Sequence, residues 1–130
     1  MTEREYVQEF KKAAEAAGYK VWLAADRKTV KTKGEKKPYD FMLCKGANYV
    51  IVEAKMNNKP LEPHQLQCAR GCAGKHAYVV WRIYETYKIF ALYTYKENGD
   101  SSCPKETTDF DYKQLLQALS DYMYSFKEAA

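Results

Sequence analysis

The stretch that decides the fold is "PYDFMLCKGANYVIVEAK", Pro38–Lys55. Two apolar runs, Phe41–Cys44 and Tyr49–Ala54, flank the turn-forming residues Lys45–Asn48. Apolar runs of this length on either side of a short turn predict a β-hairpin. The continuous apolar character of both runs indicates strands buried on both faces, in the middle of a sheet.

Three ionisable residues lie at the open end of this hairpin. With Gly46-Ala47 as a two-residue loop, the register places Asp40 opposite Glu53. Lys55 lies two residues beyond Glu53 and therefore points to the same face of the sheet. Paired carboxylates on neighbouring strands repel each other. The sequence thus predicts two acids and a lysine converging on one patch.

Length and composition set the limits for the rest of the chain. The 130 residues, 46% of them hydrophobic, are enough for one core and too few for two, so we expect a single domain over residues 1–130. No run approaches the ~18 apolar residues of a membrane span, and the opening "MTEREYVQEF" lacks the features of a signal peptide. We expect a soluble cytoplasmic protein with free thiols at its four cysteines, which are Cys44, Cys68, Cys72 and Cys103.

Positive charge is concentrated just before the hairpin. The formal net charge is +4, and the segment "RKTVKTKGEKK" alone contains six basic residues and one acid, Glu35. Such a segment favours a polyanionic partner, although a solvated basic loop has the same composition. The candidate nucleic-acid-binding residues are Arg27, Lys28, Lys31, Lys33, Lys36 and Lys37.

Helical and strand periodicities predict the element order α-β-β-β-α-β-β-α. Outside the hairpin, the predicted elements are a helix over Glu3–Ala17 ended by Gly18, a strand over Tyr19–Asp26, a helix opened by Pro63 and ended near Gly74, strands over Ala77–Tyr84 and Tyr87–Tyr95, and a helix over Asp109–Phe126 capped by Asp109 or Asp111. The helix after Pro63 acts as a crossover that brings the next strand into the sheet. We therefore expect an α/β (α+β) fold, a central mixed sheet flanked by helices.

The acid pair has two interpretations. In the first, Lys55 partly neutralises Asp40 and Glu53 in a structural ion-pair cluster. In the second, the two carboxylates, a strand carbonyl and waters bind Mg²⁺, which prefers oxygen ligands and retains several waters. Lys55 would then help to position a water molecule or stabilise charge on an attacked phosphate.

The pattern Pro38-Tyr39-Asp40 followed by Glu53-Ala54-Lys55 resembles the PD-(D/E)xK nuclease superfamily, with one residue between the proline and the aspartate. The resemblance implies a restriction-endonuclease-like core and a Mg²⁺-dependent endonuclease in which Mn²⁺ can substitute. It also implies that Asp40 and Glu53 bind the metal, that Ala54 offers its carbonyl, that Lys55 is catalytic, and that Gln65 orients a ligand or contacts the scissile backbone.

Within that superfamily, the chain is most similar to Holliday-junction resolvases of Gram-positive bacteria and their phages, and to VRR-NUC domains. The similar features are Leu61, His64-Gln65, Gly74 and the apolar strand Tyr78–Ile83. The resemblance implies branched DNA as substrate, a role in recombination and repair, and a homodimer with two active sites. A monomeric nickase, a subunit of a larger nuclease and a non-catalytic nucleic-acid-binding module would have much the same sequence.

Two further sets of residues remain open. A glutamate of the first helix often completes the family's metal site; Glu5 and Glu9 compete for this role, and the resemblance favours Glu5. His64, Cys68, Cys72 and His76 recur four residues apart, which suggests a zinc site. One helix cannot surround an ion with four tetrahedral ligands, so we expect the cysteines to pack in the core instead.

Overall fold

The chain folds, in a computed structural model that describes residues 1–24, 39–73 and 77–129 (the last four as backbone), around one mixed β-sheet. The elements are α1 (Glu3–Ala16), β1 (Lys20–Leu23), β2 (Phe41–Lys45), β3 (Asn48–Met56), α2 (Pro63–Gly71), β4 (Tyr78–Tyr84), β5 (Ile89–Tyr93), β6 (Lys105–Glu106) and α3 (Tyr112–Ala129). The basic segment Arg27–Lys37 and Gly74 lie outside the described residues.

The six strands of the described residues follow chain order across the sheet, β1-β2-β3-β4-β5-β6. Among the strands that the structure describes, β3 and β4 pair in parallel and the other neighbours are antiparallel. Helix α2 connects the parallel pair, so the predicted crossover and the mixed sheet flanked by helices are confirmed. The short strand β6 was not predicted.

The observed register of the hairpin is the one predicted from the sequence. Lys45 pairs with Asn48 and Phe41 with Val52, and Gly46 takes the left-handed conformation (φ 60°) that a tight two-residue loop requires. The ladder ends at Phe41–Val52, where the N–H of Asp40 donates to the carbonyl of Val52 at 3.0 Å. Asp40 and Glu53 therefore lie one step beyond the last ladder pair, Asp40 just before the start of β2 and Glu53 within β3.

The main core lies on the sheet face that α1 and α3 cover. Val50, Val52 and Ala54 of β3 are fully buried there, against Phe10 of α1 and Leu115 of α3. Because strand side chains alternate, the intervening residues of β3 point to the opposite face, the one that carries α2. That second face holds a smaller cluster around Ala69, Tyr78 and Val80.

The helix boundaries follow the local signals with one exception. Gly18, at φ 89°, ends α1, and Pro63 opens α2. Asp111 caps α3, since its Oδ1 accepts the N–H of Lys113 at 2.9 Å. Helix α2 ends at Gly71, before the predicted end. None of the helices in the described residues is long and apolar enough to cross a bilayer.

Candidate active site

Asp40 links the start of β2 to β3 through its side chain. Its Oδ2 accepts the N–H of Ala54 at 2.7 Å. Ala54 itself is fully buried in the main core, so this bond fixes the half-buried aspartate beside the Glu53-Ala54-Lys55 motif. The proximity of the two halves of the motif, predicted from the hairpin register, is thus present.

Glu53 is the centre of the site. Its side chain is 5% exposed, as is that of Lys55, whose Nζ lies 3.9 Å from Glu53 Oε1. The same oxygen accepts a hydrogen bond of 2.7 Å from Nε2 of Gln65. Two strands and one helix therefore bring Asp40, Glu53, Lys55 and Gln65 together.

The carboxyl group of Glu53 holds its proton unusually tightly. Burial, which removes the charged form from water, is the largest of the causes that raise its pKa to about 9. The charge of Asp40 and a hydrogen bond between the two carboxyl groups act in the same direction, and Lys55 opposes them. The negative charge of Glu3 adds a smaller contribution in the same direction. Unless a further cation binds, Lys55 alone cannot neutralise the acidic side chains of the site, Asp40, Glu53 and Glu3.

Gln65 is fixed at both ends of its amide. Its carbonyl oxygen accepts the N–H of Glu62 at 2.9 Å in the first turn of α2, and its NH₂ group donates to Glu53. The residue is buried, 8% exposed. Because the amide cannot turn without losing one of these bonds, Gln65 orients the side chain of Glu53. The predicted role of Gln65 toward a ligand or the scissile backbone stays a prediction.

Glu3 is a glutamate of α1 that contacts the strand carrying the motif, whereas the favoured Glu5 is held in a helix cap. The role of Glu5 in a metal site stays a prediction. Glu5 is exposed and forms a capping box with Thr2, whose N–H donates to Glu5 Oε1 at 3.0 Å. Glu9 accepts from the hydroxyl of Tyr112 at 2.8 Å, away from the site. Glu3 instead accepts the N–H of Met56, directly after the motif, at 3.1 Å.

The spacing of the apolar residues in α1 indicates which side of the helix carries Glu3. Val7, Phe10 and Ala14, which are buried against the sheet, lie four, seven and eleven residues after Glu3. This spacing puts Glu3 on the buried face of the helix, whereas Glu5 lies on another side. Register with the helix's own core residues thus indicates which glutamate of α1 faces the sheet.

A cavity of about 270 Å³ adjoins the site between α1 and the ends of β1 and β2. Its polar lining comes from Glu3, Arg4 and Gln8 of α1 and from Asp40. Asp40 thus faces both the buried Glu53 and a space open to small solutes.

The residues present fit a hard divalent cation. Within the described ranges, no three His, Cys, Asp or Glu side chains converge as a metal-holding group, so an ion here would take two carboxylates and complete its shell with a carbonyl and waters. Mg²⁺ binds in this way, and its charge would relieve the repulsion that raises the pKa of Glu53.

The alternative zinc site does not assemble in the described part of the chain. His64 Nδ1 lies 3.4 Å from Glu62 Oε2, and Cys68 and Cys72 are free thiols packed against the smaller cluster. His76 lies outside the described residues, as do the six candidate nucleic-acid-binding residues Arg27, Lys28, Lys31, Lys33, Lys36 and Lys37.

Comparison of the chain with protein-family models, curated proteins and solved structures finds no match. A function must therefore be inferred from the site itself.

Proposed function

We propose that this protein is a Mg²⁺-dependent endodeoxyribonuclease with a restriction-endonuclease-like core, specific for branched DNA in the manner of Holliday-junction resolvases. The observation that carries the proposal is the buried Glu53, bonded to Gln65 at 2.7 Å and lying 3.9 Å from Lys55 and beside Asp40. A purely structural ion pair has no need of two carboxylates and one lysine in a buried position.

Asp40 and Glu53 hold the cation in this proposal, and the carbonyl of Ala54 and waters complete its shell. When bound, Mg²⁺ supplies Lewis-acid stabilisation of phosphate charge and lowers the pKa of a coordinated water. Mn²⁺, which accepts the same oxygen ligands, substitutes for it. Gln65 would keep the carboxyl group of Glu53 in one orientation toward the cation.

Lys55 acts on the substrate side. Its ammonium group lies close to Glu53 and is 5% exposed, so it is held in one position rather than sampling solvent. From there it orients the attacking water and stabilises the negative charge that develops on the phosphate oxygens.

The substrate and the assembly follow from the resemblance and from charge. The basic residues of Arg27–Lys37 neutralise backbone phosphates, contacts that set affinity without reading sequence. Symmetric cutting of a junction needs two active sites, and hence a homodimer.

The test is cleavage of labelled four-way junction, flap, single-stranded and linear duplex DNA with Mg²⁺, Mn²⁺ or EDTA. We expect metal-dependent nicking of the junction by the wild type and a loss of roughly 100-fold or more in Lys55→Ala. The matched control is Lys113→Ala, which removes an exposed lysine of α3 on the opposite face of the sheet and should cut at the wild-type rate.

Each other outcome has a definite meaning. Cutting of a different substrate that is lost in Lys55→Ala retains the site and rejects the junction specificity. Absence of cleavage of every DNA and of RNA, with DNA binding equal in wild type and Lys55→Ala, rejects the enzyme and leaves a non-catalytic nucleic-acid-binding module.

A further inference from the structure

Trp22 of β1 is unusually exposed for so large an apolar side chain. Its relative exposure is 60%, whereas the preceding Val21 is 7% exposed in the main core. Alternation along the strand therefore turns Trp22 toward the face that carries α2 and away from α1. An indole left this open contributes little to folding and is available for a ligand.

The indole lies on the same sheet face as the candidate active site. Trp22 pairs with Met42, and Met42 pairs with Ile51. Ile51 precedes Glu53 by two residues and so shares its face. Two strand spacings of about 4.8 Å and a two-residue step of about 7 Å therefore separate Trp22 from Glu53 along the sheet. A nucleic-acid strand at the site would reach the indole within a few nucleotides.

The charge beside Trp22 suits a polyanion. Lys20, two residues earlier on the same face, is exposed and pairs with Cys44. Lys20 therefore places an exposed positive charge on the same face of β1 as the aromatic ring. Positive charge along the backbone path combined with an exposed aromatic plane is the usual composition of a single-strand-binding surface.

We propose that Trp22 is a stacking platform for an unpaired nucleobase close to the cleaved phosphate. This inference rests on the proposed nuclease function and adds a substrate class to it, DNA with unpaired bases beside the cut. Bases inside a duplex are stacked on their neighbours and cannot place a face on the indole, whereas bases at a branch point, a flap or a single strand can. Trp22 thereby selects for unpaired structure without reading sequence.

Tryptophan fluorescence offers a direct test, since the chain has two tryptophans and Trp81 is fully buried. In EDTA, where no cutting is expected, single-stranded and forked oligonucleotides should quench the long-wavelength, solvent-exposed emission that belongs to Trp22. Linear duplex of equal length should quench it much less. Trp22→Phe, which keeps an aromatic ring, should remove the quenching and retain most of the affinity.

Affinity measurements provide the second arm. Trp22→Ala should weaken binding of single-stranded and forked DNA by roughly 5- to 100-fold and change duplex binding less than two-fold. The matched control is Tyr87→Ala, because Tyr87 is 75% exposed at the turn between β4 and β5, remote from β1. This variant should bind every substrate like the wild type.

The results overturn the proposal if wild-type Trp22 is not quenched, or if Trp22→Ala weakens duplex and single-strand binding equally. Loss of self-association in Trp22→Ala, measured by sedimentation with DNA binding unchanged, would assign the indole to an interface between two copies of the chain instead. Cleavage measured in Mg²⁺ on the same oligonucleotides keeps the two proposals apart. Failure of the nuclease removes cutting from every variant, whereas failure of the stacking role leaves Trp22→Ala cutting unpaired substrates at the wild-type rate.

Discussion

Nε2 of Gln65 donates to Oε1 of Glu53 at 2.7 Å. The donor is neutral, so it can bond to the carboxyl group in either protonation state and does not by itself force ionisation. Lys55, at 3.9 Å, opposes the burial and the Asp40 charge that favour the protonated form. In the metal-free protein, the carboxyl group of Glu53 therefore favours its protonated, neutral form.

Stability of the metal-free protein should fall as pH rises, because of Glu53. Its ordinary pKa of 4.5 applies to the unfolded chain, while burial and Asp40 raise the folded-state pKa to about 9. The folded state therefore binds more protons between these values, and each pH unit in that window removes about 1.4 kcal/mol from the free energy of unfolding. The contribution is fully present below pH 4.5 and is lost as pH passes 9.

Urea unfolding in EDTA from pH 5 to 9.5 measures this slope. Glu53→Gln, which keeps the shape and an acceptor for Gln65, should flatten it and raise stability at pH 8. Glu106→Gln, at an exposed position of the two-residue strand β6, should retain the wild-type slope. Equal slopes in the wild type and Glu53→Gln would show that Glu53 ionises normally.

Glu3 and Glu5 form a natural pair for testing which side of α1 serves the site. Glu3→Gln removes a charge beside Met56 and the cavity, and we expect Mg²⁺ affinity and cleavage to fall by roughly 10-fold, the scale for groups that surround a metal's ligands. Glu5→Gln should leave both unchanged, because glutamine also completes a capping box. Calorimetric titration with Mg²⁺ and the junction assay provide the measurements.

The opposite ranking, with Glu5→Gln impaired and Glu3→Gln like the wild type, would restore the sequence-based choice. Equal impairment of both would point to a general effect of charge on α1 rather than to a contact. Thermal unfolding of both variants accounts for any loss of helix stability.

Local chemistry explains which features the sequence predicted. The Gly46-Ala47 loop fixes the hairpin register residue by residue, and Pro63 marks the start of α2, since both signals act within a few residues. The features that were missed depend on contacts distant in sequence. Strand β6 has two residues and exists through pairing with Ala91 and Leu92 of β5. Glu3 meets Met56 only because α1 packs on the sheet.

Arg82, like Glu3, makes contacts with residues distant in sequence. It supports the loop between β3 and α2, the elements that carry Glu53 and Gln65. Its guanidinium donates to the carbonyls of Asn57 at 3.1 Å and Lys59 at 2.6 Å. These residues follow β3 and lead to α2, which carries Gln65. Asn57 takes a left-handed conformation with φ 49°, so the loop turns sharply and needs support.

Arg82→Lys should loosen this loop, because the flexible lysine chain lacks the planar guanidinium group that holds Nη1 between the two carbonyls. We expect a loss of about 1–2 kcal/mol in the free energy of unfolding and faster hydrogen exchange at the amides of Asn57 and Lys59. The rate of cleavage should fall as the loop loses protection from exchange, since the loop determines the position of Gln65 relative to Glu53.

Arg70→Lys is the matched control: its Nε donates to the carbonyl of Glu97 at 2.7 Å on the outer side of α2. A smaller loss of stability is expected there, with cleavage unchanged. If both variants lose cleavage equally, the effect comes from α2 as a whole, and the support that Arg82 gives to the loop is not what aligns the site.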